Sequence, residues 1–177
     1  MPGASLQGVV DRMQINSQSA ALAEMVSVAS DYCRLIDDGG KACEDWLEQL
    51  FRLMPRLHSA VTVLAALDAD DAPPCPVDLD ERFELYSQLR RLLGDRDRYW
   101  LEFDAAPEEM HMSGSLADDL TDIYFDLRHG LELFDEIWPH RAAQVWQSSY
   151  RVHWGQHLVD AERHLYALKV RNQLAQN

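Results

Sequence analysis

The chain has 177 residues, 47% of them hydrophobic, which is enough for one domain with a real core and argues against wholesale disorder. Its 30 acidic residues outnumber 16 basic ones, for a formal charge of −14. That field repels phosphate backbones and anionic lipid surfaces, so neither nucleic acid nor membrane is expected as a partner, while a protein partner stays open.

No apolar run approaches the ~18 residues of a membrane span. The opening M-P-G-A-S-L-Q-G-V-V-D-R-M carries no basic and apolar leader pattern. Cys33, Cys43 and Cys75 contain no C-x-x-C pair. Together these features predict a cytoplasmic protein with reduced, incidental thiols.

Residues 1–16 show little pattern and are expected to form a flexible N-terminal arm ahead of a single helical-bundle domain over 17–177. From Ser17, Leu22, Met25, Val26, Ala29, Tyr32, Cys33 and Ile36 repeat at helical spacing, and Gly39-Gly40 ends the run. A second stripe, Leu47, Leu50, Met54, Leu57, Val61 and Leu64, keeps its register across Pro55, which predicts a kink rather than a stop. The acidic, proline-rich stretch from Asp68 to Pro76 reads as a loop.

A third helix is predicted from Asp80 to Leu93, with Leu79, Phe83, Tyr86, Leu89 and Leu93 inward and Gly94 at its end. Tyr99, Trp100, Leu101 and Phe103 form a shorter aromatic helical or irregular segment, followed by a loop through Pro107 to Gly114. Ser115 opens a fourth helix as its cap, with Asp118 three residues on in a capping-box-like position. Its apolar stripe is Leu116, Leu120, Ile123, Leu127, Leu131 and Phe134. Pro139 suits the first turn of a last helix that runs past Val170. No alternating strand pattern stands out. The fold class is all-α, a helical bundle of four long helices plus the aromatic segment.

Two polar strips carry the chemistry. With Trp154 at the centre of the last helix's buried face, His157 lies roughly 60° to one side. His153, Asp160 and His164 continue along that side at about 80–120°. His153 and His157, at i,i+4, sit close enough to share one ion, whereas His164 lies nearly two turns beyond. Asp160 is placed to orient an imidazole. Gly155, mid-helix at a cost of ~1 kcal/mol against Ala, admits a close approach by a helix or ligand, or marks a bend.

On the Ser115 helix, Asp118 and Asp122 fall opposite the apolar face and Asp119 and Asp126 nearer its boundary. Phe125, Leu133 and Ile137 stray from the main stripe, however. If the helix is buried on two sides, Asp119, Asp122 and Asp126 become an enclosed carboxylate strip.

Four readings compete. The leading one is an interaction or regulatory module in which the His/Asp seam is structural, its side chains hydrogen-bonded across helices. The second is a metal-dependent enzyme or metal-binding protein holding a divalent metal on His153, His157, Asp119 and Asp122. H-x-x-x-H is a common spacing, and this one lacks the central Glu of the metalloprotease motif. The third is a small-ligand binder with a pocket walled by Trp100 and Trp154. A metal-free His–Asp acid/base site ranks below these. Glu44, Asp45 and Glu48 also resemble half of a magnesium site that the aspartate strip would complete, against a solvated acidic helix start.

The segments S-L-A-D-D-L-T-D-I-Y-F-D-L (Ser115 to Leu127) and H-W-G-Q-H-L-V-D-A (His153 to Ala161) are similar to those of a bacterial family known as domain of unknown function 5063. Tyr99-Trp100 and the Trp46 to Pro55 helix extend the likeness over most of the chain. The resemblance implies a small, soluble helical protein and brings no activity, substrate or cofactor. It marks Asp118, Asp119, Asp122, Asp126, His153, Trp154, Gly155 and His157 as the positions matching the family's motifs. His164 stands in a run that departs from its pattern.

Overall fold

The computed structural model describes residues 6–39, 45–64, 76–101, 112–135 and 139–175. Cys43, Cys75, Glu44, Phe103, Ile137, the acidic proline-rich stretch before Pro76 and residues 102–111 lie outside them. Helix α1 (Leu6–Asp38) starts well before the expected Ser17, so the backbone of residues 6–16 is helical. Met25, Val28, Ala29, Tyr32, Cys33 and Ile36 form its buried stripe. The helix stops at Gly39, whose φ of 51° only glycine adopts without strain.

Helix α2 (Trp46–Val63) continues through Pro55, as the unbroken stripe from Trp46 to Val61 requires. Trp46 Nε1 donates to Leu35 O at 2.8 Å, fastening the start of α2 to the end of α1. Helix α3 (Leu79–Leu93) is capped by Asp78, whose carboxylate accepts from the amides of Asp80 and Glu81, and ends at Gly94, φ 55°. Only Leu89 and Leu93 are fully buried on it. Leu79 and Phe83, expected inward, are 77% and 67% exposed. The reason is position: α3 lies on the outside of the bundle with α4 as its main neighbour, so a narrow stripe suffices.

Over its described residues the aromatic segment is not helical. Arg98–Leu101 (β1) and Met112–Ser115 (β2) form an antiparallel ribbon in which Tyr99 pairs with Gly114 and Trp100 with Ser113. Strands of four residues are too short for period-two alternation to be legible, and that is why no strand is expected from the pattern.

Helix α4 (Leu116–Asp135) is the axis of the bundle, packed against α1, α3 and the two helices that follow it. From Leu116 to Leu127 every side chain except that of Asp118 is buried. This helix is therefore covered on both sides, the condition on which the aspartate strip depended.

The last helix is not continuous. Pro139–Ser149 (α5) passes into a π-helical turn, Tyr150–Trp154, and then into Gly155–Val170 (α6). A Cβ on Gly155 would lie 2.3 Å from Tyr150 O, so the turn has no room for any other residue there. Trp154, fully buried, donates from Nε1 to Ser149 Oγ at 3.0 Å, holding the turn against the core. No described helix is long and apolar enough to cross a membrane.

Candidate metal centre

The centre is built on the start of α4. The Asp97 carboxylate accepts from Ala117 N at 2.8 Å and Ser115 Oγ at 2.9 Å, and Ser115 Oγ accepts from Asp118 N at 3.3 Å. Asp97, just before the ribbon, thus caps the Ala117 amide and holds the Ser115 hydroxyl. Asp118 turns outward and accepts from Arg82 Nη2 at 2.9 Å instead. With α4 anchored, helical spacing sets Asp119, Asp122 and Asp126 in one strip, 5%, 8% and 3% exposed.

The π turn and α6 run antiparallel to that strip. His153 Nδ1 meets Asp126 Oδ2 at 2.7 Å, and His157 Nδ1 meets Asp119 Oδ1 at 2.8 Å. An ionised carboxylate only accepts, so each Nδ1 carries the proton and each ring has Nε2 left for another partner. His157 Nε2 lies 3.3 Å from Asp122 Oδ2. The other oxygen of Asp122 accepts from Arg82 Nε at 2.8 Å. Asp122, His153 and His157 each offer one ligand atom, all within 4.8 Å of one another. The site opens to solvent at His153, whose side chain is 50% exposed against 25% for His157.

The electrostatics follow from this geometry. The hydrogen bond to Asp119, with the charges of Asp122 and Asp118 adding to it, raises the His157 pKa above 6.5 against the opposing effect of burial. Burial pushes the Asp119 carboxyl up, and donation from His157 and from the Tyr99 hydroxyl opposes that. A neutral His157 directs its Nε2 lone pair at a carboxylate oxygen 3.3 Å away. Two acceptors facing each other repel, so the gap calls for a cation, either a proton or a metal.

Several expected members fall elsewhere. Asp119, expected as a ligand, stands behind His157 and orients it, leaving Asp122 as the carboxylate of the cluster. Asp160 does not touch an imidazole but accepts from Gln156 Nε2 at 2.8 Å. His164 is separate, as its distance along the helix implied, and its Nε2 donates to Arg96 O at 2.7 Å while its ring stacks on Tyr99. Trp154 is sealed in the core and Trp100 is 69% exposed on the ribbon, so they do not wall a shared pocket. Gly155 lies where Tyr150 O closes in on the backbone of the π turn. Glu48 is held by Lys169 at 2.7 Å, far from acting as half of a magnesium site with α4. Arg82 and the Tyr99 hydroxyl were not anticipated, because their partners lie 36 to 40 and 20 residues away in the chain.

An all-α bundle with a His–Asp cluster on its central helix is the class into which this chain falls. It belongs to the family described as a domain of unknown function (DUF5063), which matches residues 16–171. It is also similar to the crystal structure of protein BF1032 from Bacteroides fragilis, with 21% identity and a TM-score of 0.68 over 84% of this chain and 92% of that one. At that identity the likeness shows the fold. No curated protein matches the chain.

Proposed function

We propose that this protein binds one divalent first-row transition-metal ion, zinc or a close relative, through Asp122, His153 and His157. The observation that carries the reading is the matched pair of contacts Asp126–His153 and Asp119–His157. Buried carboxylates on Nδ1 fix the tautomer and aim of both rings, the arrangement that metal-ligating imidazoles need. His157 Nε2 is left 3.3 Å from Asp122 Oδ2, and Asp122, His153 and His157 each bring a ligand atom within 4.8 Å of the others. Three protein ligands with one solvent-facing side leave a coordination position open, which is the plan of catalytic rather than purely structural sites. A metal so held supplies Lewis acidity to a bound water or carbonyl.

Charge narrows the substrate. Asp118, Asp119, Asp122 and Asp126 together outweigh Arg82 and a divalent ion combined. The loaded centre therefore still repels anions, and a neutral or cationic substrate suits it better than a phosphate ester. Nucleic acid is disfavoured for the same reason and by the chain's overall charge.

A second reading keeps the seam structural, in an interaction or regulatory module. His157, bonded to Asp119 and facing Asp122, supports it, since a protonated ring bridges the two carboxylates without any metal. Elemental analysis of untagged protein and zinc titration of wild type against the His153→Ala/His157→Ala variant separate the two. Near-stoichiometric binding tighter than ~10 μM that the variant loses supports the metal site. Wild type that binds no divalent metal at that level leaves the structural seam.

A further inference from the structure

The ribbon ends in a contact that a purely structural hairpin does not need. The Tyr99 hydroxyl donates to Asp119 Oδ2, while Asp119 Oδ1 accepts from His157 Nδ1. Both oxygens of this buried carboxylate are thereby held, and its plane cannot turn. The Tyr99 ring is itself clamped. One face stacks on His164, with ring centroids 4.7 Å apart. The ring also lies against Gly114, its partner across the ribbon, where a Cβ would come within 2.2 Å of the ring. The ribbon's stem is fixed in turn by Asp97 at the start of α4, the same helix that carries Asp119. The glycine makes room for the ring, the ring places the hydroxyl, the hydroxyl sets the carboxylate, and the carboxylate aims the imidazole.

We propose that Tyr99 is a positioning residue for the metal centre, acting through Asp119 to hold the His157 ring with Nε2 toward Asp122, and that Gly114 exists to let it do so. This rests on the metal reading for its functional meaning, but the positioning itself is measurable without metal. A ring N–H locked between fixed partners exchanges slowly with solvent, and one facing a carboxylate free to rotate does not.

The experiment has two arms, each run on wild type, Tyr99→Phe, Gly114→Ala and Tyr124→Phe. The last is a control that removes a different phenol, one bonded to Asp37 at 2.7 Å away from the cluster. In metal-free protein, NMR of ring-15N-labelled histidine is expected to show a slowly exchanging His157 Nδ1–H in wild type and Tyr124→Phe, and to lose it in Tyr99→Phe and Gly114→Ala. In the second arm, zinc affinity is expected to fall roughly 10-fold in Tyr99→Phe, the low end of what loosening Asp119, the outer partner of a ligating histidine, would cost, and to stay at the wild-type value in Tyr124→Phe. A retained Nδ1–H signal in Tyr99→Phe overturns the proposal. So does tighter zinc binding, which would mean that the phenol drains charge from Asp119 instead of aiming it. If Tyr99→Phe fails to fold, Gly114→Ala, which keeps the phenol and displaces it, decides on the same two readouts. If wild type binds no zinc, the metal reading fails while the NMR arm still decides whether Tyr99 holds the ring.

Discussion

His153 and Asp126 meet Nδ1 to Oδ2 at 2.7 Å, and one turn away His157 and Asp119 repeat the same contact at 2.8 Å. The histidines are four residues apart and the aspartates seven, on segments that run antiparallel, so the later histidine meets the earlier aspartate. Asp122 falls between the two carboxylates, faces His157 Nε2 at 3.3 Å and lies within reach of His153.

Replacing the orienting carboxylates is therefore expected to weaken metal binding without removing a ligand. Asp126→Asn and Asp119→Asn should each cost about 10- to 100-fold in zinc affinity, the range typical of outer partners of ligating histidines. Asp122→Asn, which alters a ligand itself, should cost more than either. Isothermal titration of the three variants checks the order, and equal losses in all three would contradict the assignment of Asp122.

Stability should depend on pH through His157. Its folded pKa is raised above the unfolded value of 6.5, chiefly by the bond to Asp119. A raised pKa means that the folded state holds the proton more tightly. The contribution is complete below 6.5 and is lost as the pH rises through the folded value. His164 acts in the opposite sense, because burial lowers its pKa and stability falls as the pH drops below 6.5. Comparing wild type with His157→Gln in urea cancels the His164 part. Metal-free wild type should lose its advantage over the variant as the pH rises above 6.5, and zinc affinity should climb over the same interval as the competing proton leaves.

The π turn depends on Gly155. A methyl group there would lie 2.3 Å from Tyr150 O, which can yield only if the backbone shifts, and 3.1 Å from the Tyr150 ring. Gly155→Ala is expected to destabilise the fold by about 1–3 kcal/mol, as overpacking at a fixed site does. It should also weaken zinc binding, since His153 rides on the same turn. Urea denaturation gives the first number. A variant as stable as wild type would show that the turn relaxes to a regular α-helix.

Much of the fold was legible because amphipathic helices advertise themselves. The stripes from Met25 to Ile36 and from Leu47 to Val61 are buried nearly as their spacing implies. The continuation of α2 through Pro55 and the start of α5 at Pro139 also follow from local rules. The ribbon was not legible, since four residues give alternation too little length and Tyr99 and Trp100 fit an aromatic helix face equally well. The inward assignment of Phe83 failed because a helix on the outside of a bundle buries less than its pattern offers. Within the site, the H-x-x-x-H spacing and the aspartate strip were visible, and Gly155 was marked as unusual. Arg82 carried no signal among the charges of the first turn of α3. The hydroxyl of Tyr99 was hidden behind its value as a core aromatic.

Helical periodicity alone places His153 and His157 on one edge and groups Asp119, Asp122 and Asp126 along one helix, because side chains three, four and seven residues apart must share a face. Periodicity does not say whether that aspartate face meets water or protein. The packing of α3 and α6 against α4, with Arg82 and His157 both reaching Asp122, decided it, through contacts between residues that are distant in the chain. The same packing chose which carboxylate stands behind each imidazole and which one faces it. Those choices depend on the antiparallel register of two helices and on a π turn that shifts His153, quantities that only the assembled bundle defines.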